Sequence, residues 1–193
     1  MVTGPTGSGK STFVFKLISH LNAQKIYYFY GAWQAEFKKH KNNKFIEGLP
    51  TKEFKLNPKF KNVVVIDDLI SDAKSSKIVS DLFTKYSHHC RATIILVSQN
   101  LFIQGSAMRS VSLNTQYFVL FKNPRDCQQI QYLGRQIYGS NWQFLEQAYN
   151  DATKNKAHSY LVIDLKQGTP ESERLKTHVL GEKKSVTFYK PCG

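Results

Sequence analysis

The chain has 193 residues, 41% hydrophobic and 21% charged, so one core can form and wholesale disorder is excluded. Lys and Arg number 27 against 14 Asp and Glu, a net charge of +13 that points to a polyanionic partner, nucleic acid or an acidic membrane surface. No apolar stretch is long enough to span a bilayer and no signal-peptide pattern opens the chain, so the location is read as intracellular rather than membrane-spanning or secreted.

The first feature met is the run Gly4-Pro5-Thr6-Gly7-Ser8-Gly9-Lys10-Ser11-Thr12. It satisfies G-x-x-x-x-G-K-[ST]. Over residues 11–22 a helical pattern follows that sets Val14, Leu17, Ile18 and Leu21 on one face. Gly7 and Gly9 let the backbone turn its N–H groups inward as a nest for phosphate oxygens, and the helix start adds its positive dipole end. Lys10 is expected to reach the β- and γ-phosphates of ATP as a catalytic charge, and the Ser11 hydroxyl to ligate Mg²⁺. All residues from Gly4 to Thr12 form the candidate nucleotide-binding set. A strand feeding such a loop ordinarily has ~5 residues. Only Met1, Val2 and Thr3 precede Gly4, so this first strand is expected to be truncated, or the chain to be a fragment.

Ile26 to Tyr30 reads as the next strand. Residues 38–61, rich in Lys and Asn and holding Pro50 and Pro58, read as an irregular connection. Within it Lys38, Lys39, Lys41 and Lys44 cluster beside Trp33 and Phe37, either as a grip on a phosphate backbone or as a solvated charged loop. Val63-Val64-Val65-Ile66 is a continuous β-branched run, as in a strand covered on both faces, and it ends in Asp67-Asp68. Carboxylates at that edge sit where Mg²⁺-nucleotide binds in doubly wound sheets. Asp67 is the expected Mg²⁺ partner, and Asp68 the general base for the attacking water.

A helix is expected over residues 72–86, with Ile78, Val79, Leu82 and Phe83 together. Ile94-Ile95-Leu96-Val97 is another buried strand. Gln99 behind it is expected to sense the γ-phosphate or the attacking water. Tyr117 to Phe121 and Tyr160 to Ile163 read as further strands. Between them Pro124 opens a helix that Gly139 stops. From Gly168 the chain turns polar and is expected to fray. The domain is placed at residues 1–180, with a polar tail at 181–193. Strands alternating with helices predict an α/β fold of the P-loop NTPase type, its mainly parallel sheet flanked by helices.

Cys90, Cys127 and Cys192 are odd in number, far apart and lack Cys-x-x-Cys spacing, so neither a disulfide framework nor a zinc site is expected. The run His88-His89-Cys90 does not change this, because adjacent side chains rarely converge on one ion.

Residues 4–12, 63–68 and 94–99 together resemble the FtsK/HerA superfamily of P-loop ATPases. Within it the likeness is to the genome-packaging ATPases of poxvirus-type and Polinton/adintovirus-type double-stranded DNA viruses. It extends through Ser98-Gln99-Asn100-Leu101-Phe102, Arg109-Ser110-Val111-Ser112-Leu113-Asn114 and Phe121-Lys122-Asn123-Pro124-Arg125-Asp126, and on to Tyr160–Leu165. The resemblance implies a homo-oligomeric ring that hydrolyses ATP to move duplex DNA into a capsid, with capsid or vertex proteins as partners, in the host cell or on the virion. It also implies an arginine reaching a neighbour's γ-phosphate. Arg91 matches the family's position, near the edge of the nucleotide face, with Arg109 and Arg125 as alternatives. Two other readings stay open: a P-loop kinase of a nucleotide or small molecule, and a truncated, non-catalytic relic that binds nucleotide or DNA.

Overall fold

The computed structural model describes residues 1–154, 156–180 and 185–191. The expected boundary at 181 and much of the polar tail, including Glu182, Lys183, Lys184 and Cys192, lie outside the described residues, as does the His88 side chain.

The elements in chain order begin with β1 (Val2–Thr3), α1 (Lys10–His20) and β2 (Lys25–Tyr30). A 3₁₀ helix (Ala35–Lys39), β3 (Lys44–Glu47) and β4 (Asn62–Asp67) follow. Next come α2 (Ile70–Ala73), α3 (Lys77–Asp81), a π-helical turn (Leu82–Tyr86), α4 (Ser87–His89), β5 (Ala92–Ser98) and α5 (Ser106–Asn114). The remainder is β6 (Tyr117–Phe121), α6 (Gln128–Tyr138), a single 3₁₀ turn (Gly139–Asn141), α7 (Gln143–Thr153), β7 (Tyr160–Asp164), α8 (Glu171–Arg174), β8 (Leu175–Thr177) and β9 (Thr187–Tyr189). The fold is α/β, mostly parallel, with flanking helices, as the sequence predicts.

Contacts divide the chain into two compact units. One comprises Phe15–Ser98 and Ile103–Thr115 and carries strands in the order β3-β2-β4-β5, every pairing parallel. All residues of β4 are buried, because both faces of the strand are covered. On one face Phe29, Val64, Ile66 and Leu96 pack with Val79, Leu82, Phe83, Met108 and Val111. On the other, Tyr28 stacks on Phe15 of α1 with ring centroids 5.3 Å apart and meets Phe37 of the 3₁₀ helix at 5.2 Å. Adjacent residues Tyr28 and Phe29 thus serve opposite layers, as strand alternation requires.

The other unit comprises Met1–Val14, Gln99–Phe102 and Gln116–Gly193. β1 pairs parallel with β6, and β6, β7, β8 and β9 follow antiparallel in that order. β1 has only two residues, as expected from the short run before Gly4. It is held by Val2 opposite Val119 and Thr3 opposite Leu120, and the Val119 N–H donates to the Met1 carbonyl at 2.9 Å.

Several elements differ from expectation. The helix expected over 72–86 is broken after Ala73. Ala107 N–H donates to the Lys74 carbonyl at 3.1 Å, and Ser76 then caps α3 by accepting from Val79 N–H. Within 38–61 lies a strand, β3, whose apolar content is only Phe45 and Ile46 between charged ends. Pro124 stands outside α6. That helix starts at Gln128, with the Asp126 carboxylate accepting from the Gln129 N–H at 3.3 Å, and Gly139 ends it as predicted. Beyond Gly168 the chain does not simply fray, since Leu175 and Thr177 of β8 are buried. The sequence reading places no helix at α5 or α7.

Candidate nucleotide site

The phosphate loop lies wholly in the unit that holds β1 and β6. Glycine is required at Gly4, where φ is +156° and an added Cβ would stand 2.6 Å from the Cβ of Phe121. It is required again at Gly9, where φ is +99° and an added Cβ would meet the His158 side chain at 3.1 Å. Between them the Ser8 N–H donates to the Pro5 carbonyl at 3.2 Å and tightens the turn. The Ser8 hydroxyl is buried and has no hydrogen-bond partner among the described residues. α1 opens at Lys10, so the N–H groups of its first turn lack carbonyl partners within the helix. Phe13 fixes this helix start by edge-on contacts with Tyr160 at 4.8 Å and Phe121 at 5.8 Å.

The Lys10 ammonium donates to the carbonyls of Gly4 at 2.7 Å and Pro5 at 2.9 Å, arching back over its own loop. The loop therefore concentrates amide donors, a helix dipole end, a cation and an orphaned hydroxyl in one short segment. That set suits an anion with several oxygens.

Asp67 and Asp68 belong to the unit of parallel strands. Asp67 ends β4 and is buried, and the Tyr28 hydroxyl donates to its Oδ2 at 2.6 Å. Burial, reinforced by the Asp67 charge, drives the Tyr28 phenol far above its ordinary pKa, so it remains a donor. Tyr28 is a site residue that sequence reasoning missed. Its partnership depends on β2 lying beside β4, which no local pattern reveals. Asp68 is exposed, with φ of +58°, a left-handed conformation that Asp tolerates better than most residues. Gly31 makes room for this turn: an added Cβ there would lie 2.6 Å from the Asp68 carbonyl oxygen.

Gln99 and Asn100 are exposed directly after β5. The segment is anchored at Leu101, whose N–H donates to Gln129 Oε1 at 2.7 Å, and Gln129 in turn donates to Asp126. Arg91 is exposed just before β5, and its carbonyl accepts from the Asn62 N–H at 3.0 Å. Asn62 pairs with Ala92 and Asp67 with Val97, so Arg91 stands at the start of the strands and Asp67 at their end. The length of β5, ~20 Å at ~3.3 Å per residue, thus separates Arg91 from the level of Asp67. Arg109 on α5 and Arg125 before α6 are both exposed.

Each unit by itself carries a hard-oxygen donor of the kind Mg²⁺ takes, the Ser11 hydroxyl in one and the Asp67 carboxylate in the other. Among the described residues no cluster of three or more His, Cys, Asp or Glu could hold a metal alone. Mg²⁺ does not require one, because it is held by one or two carboxylates, waters and substrate phosphates. Each of the two donors, taken by itself, has the chemistry that ion accepts.

The RNA helicase family model matches residues 1–113, more than half of the chain. The chain belongs to the RNA helicase family. The matched span of the RNA helicase family model runs from β1 through most of α5 and includes the phosphate loop, Asp67, Asp68 and Gln99. None of the curated proteins compared with it matches the sequence. By fold it is similar to the genome packaging NTPase B204 from Sulfolobus turreted icosahedral virus 2 in complex with ATP-gammaS. The TM-score is 0.56 at 12% identity, covering 100% of this chain and 96% of that one. It is also similar to B204, the DNA-packaging ATPase from Sulfolobus turreted icosahedral virus, with TM-score 0.54, 12% identity and coverage of 100% and 96%. These likenesses establish a P-loop NTPase fold. No helix among the described residues is long and apolar enough to cross a membrane.

Proposed function

We propose that this protein is an ATP-hydrolysing motor that moves double-stranded DNA, packaging a viral or virus-like genome into a capsid as a homo-oligomeric ring. The observation that carries the reading is the phosphate loop: amide nest, α1 N-terminus and the Lys10 ammonium turned onto the loop. The likeness to B204, a packaging NTPase solved with ATP-gammaS, supports it. Lys10 stabilises the negative charge that develops on the transferred phosphoryl group. Asp68 accepts the proton of the attacking water, and Gln99 orients that water. Ser11 and Asp67 are the residues that would hold Mg²⁺, and the ion would neutralise phosphate charge there.

A second reading has its own support. Membership of the RNA helicase family favours a motor that tracks along RNA. One experiment separates the two. ATP turnover is measured alone, with duplex DNA and with single-stranded RNA. Stimulation by duplex DNA is expected; stimulation by RNA alone assigns the helicase reading. Turnover that needs a small acceptor points to a kinase, and no turnover to a passive binder. Lys10→Ala is expected to abolish hydrolysis in a folded protein. Asp68→Asn is expected to bind ATP and not turn it over, because a carboxamide takes no proton. Wild-type turnover in Asp68→Asn would remove Asp68 from catalysis.

A further inference from the structure

Trp33 lies just beyond the C-terminal end of β2, the end at which Tyr30 pairs with Asp67. It is 56% exposed, a large apolar ring facing water. The ring is nonetheless firmly seated, with edge contacts to Phe37 at 5.3 Å, Tyr30 at 5.6 Å and Phe45 at 6.1 Å. Phe37, nearly fully buried, is the hub of this pedestal: it stacks on Phe45 at 4.4 Å and meets Tyr28 at 5.2 Å. Tyr28 carries the hydroxyl that donates to Asp67. An unbroken series of contacts thus runs from an exposed indole to the carboxylate proposed to hold Mg²⁺.

The charge around Trp33 is sorted by the 3₁₀ helix. At three residues per turn, Phe37 and His40 point inward together, and His40 stacks on Phe15 at 3.9 Å. Lys39 is occupied by Glu36 at 2.8 Å. Lys38 and Lys41 are exposed. Lys44 neighbours Phe45 on β3 and therefore faces away from the pedestal, so the lysine cluster of the sequence does not form one surface.

We infer that Trp33, Lys38 and Lys41 form a contact for the phosphodiester backbone of duplex DNA, which Phe37 and Tyr28 tie to Asp67. The inference rests on the motor reading above. Two ammonium groups and an indole N–H are donors only. Their complement is a surface of acceptors and negative charge, the phosphates of a nucleic acid, with the flat ring against sugar. Such contacts hold and position without reading sequence. DNA pressing on Trp33 loads Phe37 and, through Tyr28, the hydrogen bond on Asp67. Hydrolysis thereby acquires a physical dependence on nucleic acid.

The test uses the full chain, a labelled duplex of mixed sequence and ATP turnover with and without it. Lys38→Ala/Lys41→Ala is expected to lower the slope of log affinity against log salt by about 2, since each phosphate contact contributes ~0.9. Trp33→Ala is expected to turn over ATP at the same rate with saturating duplex as without it. Tyr28→Phe is expected to bind the duplex as wild type does and to lose the stimulation. Adding Trp33→Ala to Tyr28→Phe then removes nothing more, the non-additivity that coupling requires. An unchanged salt slope in the lysine pair, or full stimulation of Trp33→Ala, overturns the inference. So does a Trp33→Ala protein whose stimulation is normal while its assembly state changes, which would assign the ring to a subunit contact. Wild-type protein that no duplex stimulates sinks the motor reading itself. Stimulation shared by wild type and Trp33→Ala sinks only this inference.

Discussion

The hydrogen bond from Tyr28 to Asp67 makes a titration prediction at the scale of one residue. Burial first, and the Asp67 charge second, hold the Tyr28 phenol above its ordinary pKa. Tyr149 and Tyr160 are raised as well, with burial the leading cause in each. A group whose folded pKa lies above its unfolded one binds more protons in the folded state across that interval. Its stabilising contribution is therefore complete below pH ~10, where free tyrosine ionises, and falls as pH rises beyond that. Denaturant unfolding at stepped alkaline pH is expected to show declining stability above that point. Tyr28→Phe is expected to weaken the decline, because the phenylalanine has no proton to lose. A variant with the same alkaline dependence as wild type would show that Tyr28 carries none of it.

At the scale of elements, α6 offers a case where helix propensity and packing oppose each other. Gly134 sits inside α6, where alanine would ordinarily gain ~1 kcal/mol. An added Cβ there would meet the Trp142 carbonyl oxygen at 2.8 Å, a backbone atom that cannot rotate away. Gly134→Ala is therefore expected to destabilise, read as a lower midpoint in a denaturant melt. A rise in the midpoint would mean that the chain at Trp142 gives way. The same contrast explains what the sequence made legible. Continuous β-branched runs announce strands such as β4, because two-sided burial leaves its mark on every residue. The phosphate loop is legible for the same reason, since its chemistry constrains each position locally. β3 was hidden because it is short, and its two apolar residues, Phe45 and Ile46, stand between charged ends in a Lys- and Asn-rich stretch. The break after Ala73 depends on Lys74 accepting from Ala107, a partner more than thirty residues away. Tyr28 as the companion of Asp67 is of the same kind: strand order creates it.

At the scale of the whole molecule, the position of Arg91 sets a requirement for assembly. It lies at the opposite end of β5 from the level of Asp67, and the role proposed for it is on nucleotide held by a neighbouring subunit of the proposed ring. A guanidinium is permanently charged and bridges two phosphate oxygens, and such groups contribute ~10³–10⁵ in turnover. Arg91→Ala and Lys10→Ala are each expected to be inactive alone. Mixed together, Lys10→Ala subunits supply an intact Arg91 to neighbours that still bind ATP, and partial turnover is expected to return. Mixed rings without recovery, or normal turnover by Arg91→Ala alone, pass the role to Arg109 or Arg125.

The posture of Lys10 bears on how the proposed motor would reset. Its ammonium is bonded to the Gly4 and Pro5 carbonyls, so the loop offers this cation partners of its own. Where phosphate oxygens compete with those carbonyls for Lys10, the affinity for nucleotide is the difference between the two sets of contacts. The same competition helps the spent nucleotide depart, because the lysine has carbonyls to return to and leaves no bare charge behind. A machine that must empty its site on every stroke gains more from such reversibility than from tight binding.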